Sequence, residues 1–61
     1  MPVVIVEMWE GRTLEQKKQL VEGITSSFVK IGTPPEAVQI ILKDNSKDNW
    51  AIGDKLASEV K

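Results

Sequence analysis

The chain has 61 residues, no cysteine, no histidine and a formal net charge of −1 at pH 7. A chain this short forms one small domain, and it can make neither a disulfide nor the commonest kind of zinc site. It shows no basic stripe for nucleic acid and no stretch near the roughly 20 apolar residues that span a bilayer. We therefore expect a single cytoplasmic domain over residues 1–61 that binds neither nucleic acid nor membrane and associates with copies of itself.

The chain opens with Met1 and Pro2, followed by a run of mostly apolar residues from Val3 to Met8. The β-branched residues in this run predict a buried strand. Initiator methionine is usually removed when the next residue is small, and removal would leave Pro2 with a free secondary amine. Such an amine can act as a nucleophile or a general base. Proline also begins strands for structural reasons alone, because its missing N–H costs nothing there, and Pro2 by itself favours that role.

A long helix is predicted after the turn Glu10-Gly11-Arg12. Thr13 with Gln16 three positions later is a capping-box pattern that begins a helix. Apolar residues then recur at helical spacing, namely Leu14, Leu20, Val21, Ile24, Phe28 and Ile31. Gly32 and the pair Pro34-Pro35 end the helix.

A second apolar strand is predicted over Val38 to Leu42, and a short hairpin or arm is predicted around Asn49–Gly53. A helix of about 18 residues is roughly 27 Å long, which is enough to return the chain for a parallel, right-handed connection. The predicted fold class is α+β: a βαβ unit with two parallel strands, one long helix and a short C-terminal hairpin.

The two strands are apolar on both faces, yet one helix can cover only one face of the sheet. Parallel sheets are normally buried on both sides, and free strand edges tend to pair with other strands. We therefore expect this chain to form a homo-oligomer through its sheet.

Few side chains remain that could carry chemistry. Arg12 is the only arginine; its planar guanidinium suits a carboxylate, although a solvent-facing loop arginine is equally compatible with its position. Trp9 and Trp50 suit a core or a subunit interface. Such rings could also wall a site, where burial beside a cation lowers the pKa of an amine toward neutrality.

Several segments together resemble the 4-oxalocrotonate tautomerase family. The first are the Met-Pro start with its apolar strand and the triplet Glu10-Gly11-Arg12. The others are Glu15-Gln16-Lys17, Ala37-Val38-Gln39-Ile40-Ile41 and the stretch from Lys47 to Gly53. The resemblance covers essentially the whole chain. The pairing of a proline after the initiator methionine with the Glu-Gly-Arg triplet is its most specific part.

The resemblance implies a βαβ fold assembled as a hexamer that is built from dimers, and an enol–keto tautomerase that uses no cofactor and no metal. Pro2 would take a proton from the enol hydroxyl of a 2-hydroxydienoate and return one to a carbon further along the conjugated system. Arg12 matches the family arginine that binds the carboxylate of the substrate. Trp50 lies where the family has an aromatic residue that walls the site.

One position departs from the family pattern, because Gln39 stands where well-known members have a second arginine. A glutamine can donate a hydrogen bond to substrate but cannot neutralise a developing dienolate, so weaker activity on dicarboxylates or a different substrate is expected. Lys43, on the same face of the predicted strand, is a possible replacement. Alternative functions are another proline-dependent reaction, such as dehalogenation, hydration or decarboxylation, or a non-catalytic oligomeric module.

Overall fold

The computed structural model describes residues 1–60, which form a βαβ unit followed by a hairpin. In chain order the elements are β1 (Val3–Trp9), α1 (Leu14–Lys30), β2 (Gln39–Asn45), β3 (Ala51–Ile52) and β4 (Lys55–Leu56). Strands β1 and β2 are parallel, and β3 and β4 are antiparallel. The predicted α+β fold class is therefore confirmed. Within residues 1–60, no helix has the length and apolar character needed to cross a lipid bilayer.

The capping box predicted at the start of α1 is present. The Gln16 backbone N–H donates to the Thr13 hydroxyl over 3.1 Å, and the Thr13 N–H donates to Gln16 Oε1 over 3.0 Å. Two N–H groups that have no partner within the helix are thereby satisfied. The helix ends at Lys30, and Gly32 follows with a φ of 98°, a conformation that favours glycine.

Strand β2 continues to Asn45, three residues beyond the Leu42 boundary predicted from the sequence. Lys43 lies opposite Glu7 in the strand register, and its Nζ is 3.9 Å from Glu7 Oε2. Asn45 Nδ2 donates to Glu7 Oε1 over 2.9 Å and to the Met8 carbonyl over 3.3 Å. The apolar run ends at Leu42, but cross-strand polar contacts keep the chain extended beyond it.

One face of the β1–β2 sheet packs against α1. Lys17 Nζ on the helix is 2.6 Å from Asp44 Oδ2 on β2, which identifies the strand positions that face the helix. The apolar strand residues of that face are half-buried, namely Val4, Val6, Met8, Ile40 and Leu42. The apolar helix residues Leu20, Val21, Ile24 and Phe28 are half-buried as well. The small core of the chain therefore lies between the helix and this face.

The opposite face of the sheet is uncovered in the single chain, as its apolar residues predict. Val3 is 54% exposed, Ile5 is 56% exposed and Ile41 is 45% exposed. Among the described residues, Ala57 is the only hydrophobic residue that is buried in the single chain. Since parallel sheets are normally buried on both faces, this face is where a further layer would add most to the core.

The C-terminal hairpin follows Trp50 and turns at Gly53, whose φ is 66°. It spans Ala51 to Leu56, slightly later than the predicted segment Asn49–Gly53. The Ala57 N–H donates to the Trp50 carbonyl over 2.6 Å, so the hairpin returns the chain to the segment from which it left.

Candidate active site

Pro2 and Gln39 lie together where β1 and β2 begin; we call this pair the proline end of the sheet. The Gln39 backbone N–H donates to the Pro2 carbonyl over 3.0 Å, which places the two residues side by side. The Gln39 side-chain Nε2 is 3.2 Å from the Met1 sulfur. The amide of Gln39 therefore reaches the space on the amino side of Pro2. While Met1 is attached, the Pro2 nitrogen is a tertiary amide and cannot accept a proton as a base.

Trp9, Arg12, Lys47 and Trp50 lie at the other end of the sheet, which we call the tryptophan end. The rings of Trp9 and Trp50 meet edge to face, with centroids 5.9 Å apart and an interplanar angle of 78°. Lys47 Nζ lies 4.7 Å from the centroid of the Trp9 ring, within the range of a cation–π contact. The sequence therefore brings two aromatic rings and two cations to one place.

An open cleft of about 370 Å³ lies at the tryptophan end. It is lined by Met8, Trp9, Glu10, Gly11, Arg12, Gln16 and Lys47. Its walls combine an aromatic ring, two basic side chains and one carboxylate. That combination suits a small organic anion with an apolar body.

Arg12 reaches this cleft because of the turn between β1 and α1. The Glu10 N–H donates to the Asn45 carbonyl over 2.9 Å, which extends the strand pairing to the edge of the cleft. Gly11 then adopts a φ of 112°, a left-handed conformation that side chains disfavour. Thr13 caps the helix immediately afterwards. Arg12 is thus held between a strand end and a capped helix start.

The four predicted site residues form two separate pairs. Pro2 and Gln39 lie at the proline end, whereas Arg12 lines the cleft and Trp50 packs on Trp9 at the tryptophan end. The seven residues of β1 separate the two ends by about 23 Å at roughly 3.3 Å per residue. A small substrate therefore cannot contact Pro2 and Arg12 of the same chain at once.

Lys43 does not lie beside Gln39. The two residues share a face of β2 but are four positions apart, which is about 13 Å along a strand. Lys43 instead pairs with Glu7 across the sheet. Within one chain, therefore, no lysine of β2 lies beside Gln39.

Lys47 is a cleft residue that sequence reasoning missed. The sequence shows that it precedes Trp50 by three positions, and both lie just after the second strand. Its contact, however, is with the ring of Trp9, 38 positions earlier, and it depends on the parallel pairing of Trp9 with Asn45. Among residues 1–60, no group of three or more carboxylates is placed to hold a metal ion.

Comparison with known proteins identifies the family. The family model described as "Tautomerase enzyme" matches residues 2–59 of the chain. The chain belongs to the tautomerase family. Because tautomerases are isomerases, it is an enzyme of the isomerase class.

Tautomerases of known sequence align with nearly the whole chain. A probable tautomerase of Bacillus cereus is 42% identical over 60 residues, covering 97% of this chain and 98% of the relative. A 2-hydroxymuconate tautomerase of Comamonas testosteroni is 38% identical over 61 residues, covering 98% and 97%. The aligned region therefore includes both the proline end and the tryptophan end of the sheet.

Tautomerases of known structure share the fold. A homologue of 4-oxalocrotonate tautomerase superposes with a TM-score of 0.91 at 36% identity, covering 98% of this chain and 100% of the other. A fused 4-OT protein, solved as an asymmetric trimer, superposes with a TM-score of 0.85 at 34% identity. That comparison covers 90% of this chain and 46% of the longer fused chain.

Proposed function

We propose that this tautomerase converts 2-hydroxydienoate substrates to their 2-oxo isomers without a cofactor, using the amino-terminal proline as the general base. The observation that carries the proposal is the position of Pro2, directly before β1 and bonded to Gln39, in a chain that the tautomerase family model matches from residue 2 onward. The 2-hydroxymuconate tautomerase at 38% identity supports the substrate class.

The reaction is a proton transfer between oxygen and carbon. After removal of Met1, the lone pair of the Pro2 amine accepts the proton of the enol hydroxyl, and the O–H bonding pair becomes the charge of a dienolate. The dienolate then forms a C–H bond at a distant carbon, taking a proton from the proline ammonium, while the C2–O bond becomes a carbonyl. The amine returns to its starting state, as a general acid–base catalyst must.

The other predicted site residues have roles that follow from their chemistry. Arg12 presents a planar fork of N–H donors that matches a substrate carboxylate. Trp50 supports an apolar wall through its edge-to-face contact with Trp9. Gln39 donates an amide N–H toward oxygens that approach Pro2 and supplies no charge there.

The proposal requires more than one subunit. Because about 23 Å of strand separates Pro2 from Arg12 in one chain, the proline end of one copy must meet the tryptophan end of another. The uncovered face with Val3, Ile5 and Ile41 provides a surface for such association. The fused relative solved as a trimer supports an oligomer, and the hexamer and the cytoplasmic location expected from the sequence belong to this proposal.

The proposal is tested by measuring the ketonisation of 2-hydroxymuconate by UV absorbance in protein whose mass confirms the loss of Met1. A matched control carries an additional, uncleaved residue directly before Pro2. We expect the Met1-free protein to exceed the buffer rate and the control to be at least a hundredfold slower, because an acylated proline nitrogen is no base.

Two results would contradict this function. Equal rates in the two proteins would show that the amine is not used. Rates equal to buffer in both would direct the search to other proline-dependent reactions, assayed with halo-acrylates and 2-oxo acids, or to a non-catalytic module. Size-exclusion chromatography of both proteins shows whether the added residue has altered assembly.

A further inference from the structure

The ammonium group of Lys47 lies at the cleft that Arg12 also lines. Lys47 Nζ is 4.7 Å from the centre of the Trp9 ring, and Lys47 belongs to the short 3-10 helix Lys47–Asn49 that follows β2. Ser46 caps that helix by accepting a hydrogen bond from the Asp48 N–H over 3.1 Å. The backbone that carries Lys47 is therefore fixed, and the ring restricts the position of its side chain.

Lys47 also has donors to spare. Within residues 1–60, its ammonium makes no hydrogen bond to the protein and no ion pair with a carboxylate, and the same holds for the guanidinium of Arg12. Lys17 and Lys43, in contrast, are paired with Asp44 and Glu7. An ammonium has three N–H donors, and a contact with a ring face leaves donors free to meet an anion.

The charge of the cleft is positive as a result. Of its lining residues, Arg12 and Lys47 are basic and Glu10 alone is acidic. The proline end carries no side-chain charge, since Gln39 is neutral. The basic side chains therefore attract a substrate anion to the tryptophan end.

We infer that Lys47 is a specificity-determining residue, a second cation that binds the substrate carboxylate together with Arg12 and is held for this role by the ring of Trp9. The inference rests on the proposed function, because it names the substrate group that the same site would hold. Arg12 offers a planar fork, and Lys47 adds a point charge from the side of the ring. Two cations on one carboxylate favour acids over neutral esters and amides of the same shape.

The test measures binding without turnover. Adipate, an unreactive six-carbon dicarboxylate, is titrated into the Met1-free protein by calorimetry, and adipamide serves as its neutral analogue. We expect Lys47→Met to weaken adipate binding about fivefold, the upper end for an exposed ion pair. Lys47→Arg is expected to retain most of the affinity. Lys55→Met, on the hairpin and outside the cleft, removes the same charge and is expected to leave affinity unchanged.

The salt dependence of binding and tryptophan fluorescence distinguish a direct contact between Lys47 and adipate from a general loss of positive charge. Adipate binding is expected to weaken with ionic strength in the unaltered protein, and less so in Lys47→Met, because salt screens exposed charges. Tryptophan emission is expected to change on adipate binding as the ammonium shifts from the Trp9 ring to the carboxylate, and Lys47→Met should lose this change.

The inference is overturned if Lys47→Met and Lys55→Met bind adipate alike, or if the unaltered protein does not prefer adipate to adipamide. A failed proposed function gives a different pattern. In that case 2-hydroxymuconate is not turned over, yet adipate binding still depends on Lys47.

Discussion

The two ends of the β1–β2 sheet have opposite chemistry. The proline end has no charged side chain and offers a proline nitrogen and a glutamine amide, whereas the tryptophan end gathers two indole rings, a guanidinium and an ammonium. One end is suited to proton transfer and the other to holding an anion. The same strand begins at one and ends at the other, so a single chain keeps the two functions about 23 Å apart. If Pro2 and Arg12 act on one substrate, as the proposed function requires, assembly rather than local folding has to complete the catalytic site.

The largest expected effects come from substituting one residue at each end of the sheet and then mixing the two variants. In Met1-free protein, Pro2→Ala is expected to lower kcat/KM for 2-hydroxymuconate a hundredfold or more, since a positioned general base contributes about 10² to 10⁴. Arg12→Ala is expected to cost about tenfold to a hundredfold through the lost charged hydrogen bonds. If the two ends meet between copies, co-refolding the two variants restores about a quarter of the sites.

The controls for the mixing experiment use residues outside both ends. Pro34→Ala removes a proline beyond the helix and should leave the rate unchanged. Each variant refolded alone must keep its lowered rate, and chromatography must show that mixed and single samples have the same size. No recovery in a mixture of the correct size would mean that Pro2 and Arg12 do not cooperate across subunits.

Gln39→Arg changes the charge of the proline end itself. A guanidinium beside Pro2 would stabilise a developing dienolate, so kcat/KM for the dicarboxylate 2-hydroxymuconate is expected to rise about tenfold, below the 10²–10³ of an ideally placed donor. Gln19→Arg adds the same charge on an exposed helix position and is the matched control. A rise in both variants would indicate general electrostatic attraction, and a fall in Gln39→Arg alone would show that the neutral amide is required.

The sequence predicted the elements well where local chemistry decides them. Thr13 and Gln16 form the predicted capping box, and the helix ends near Gly32 as expected. The end of β2 was predicted too early because Lys43 and Asn45 are polar, and only their cross-strand contacts with Glu7 explain why the strand continues.

The candidate site was less predictable because it depends on contacts between distant parts of the chain. Arg12 and Trp50 were singled out from the sequence, but nothing local shows that they lie far from Pro2. Lys47 was missed since its partner, Trp9, becomes a neighbour only after β1 and β2 pair in parallel. The register of a sheet is set by both strands together and cannot be read from either one alone.

Thr13→Ala gives the smallest expected effect and tests how firmly the tryptophan end holds Arg12. Loss of the hydroxyl leaves the Gln16 N–H without its partner, which costs about 1 kcal/mol of stability and about 4–8 °C in Tm for a domain of this size. Ser26→Ala, at an exposed position within the helix, is the control and should be neutral or slightly stabilising, because alanine has the higher helix propensity. Both variants are compared by thermal unfolding at one protein concentration, since association raises Tm.

Arg12 immediately precedes the cap, so KM is expected to rise a few-fold in Thr13→Ala while the proton-transfer step at Pro2 keeps its rate. A drop in kcat with unchanged KM would instead show that the helix start acts on the proline end, and the separation of the two ends would then be incomplete.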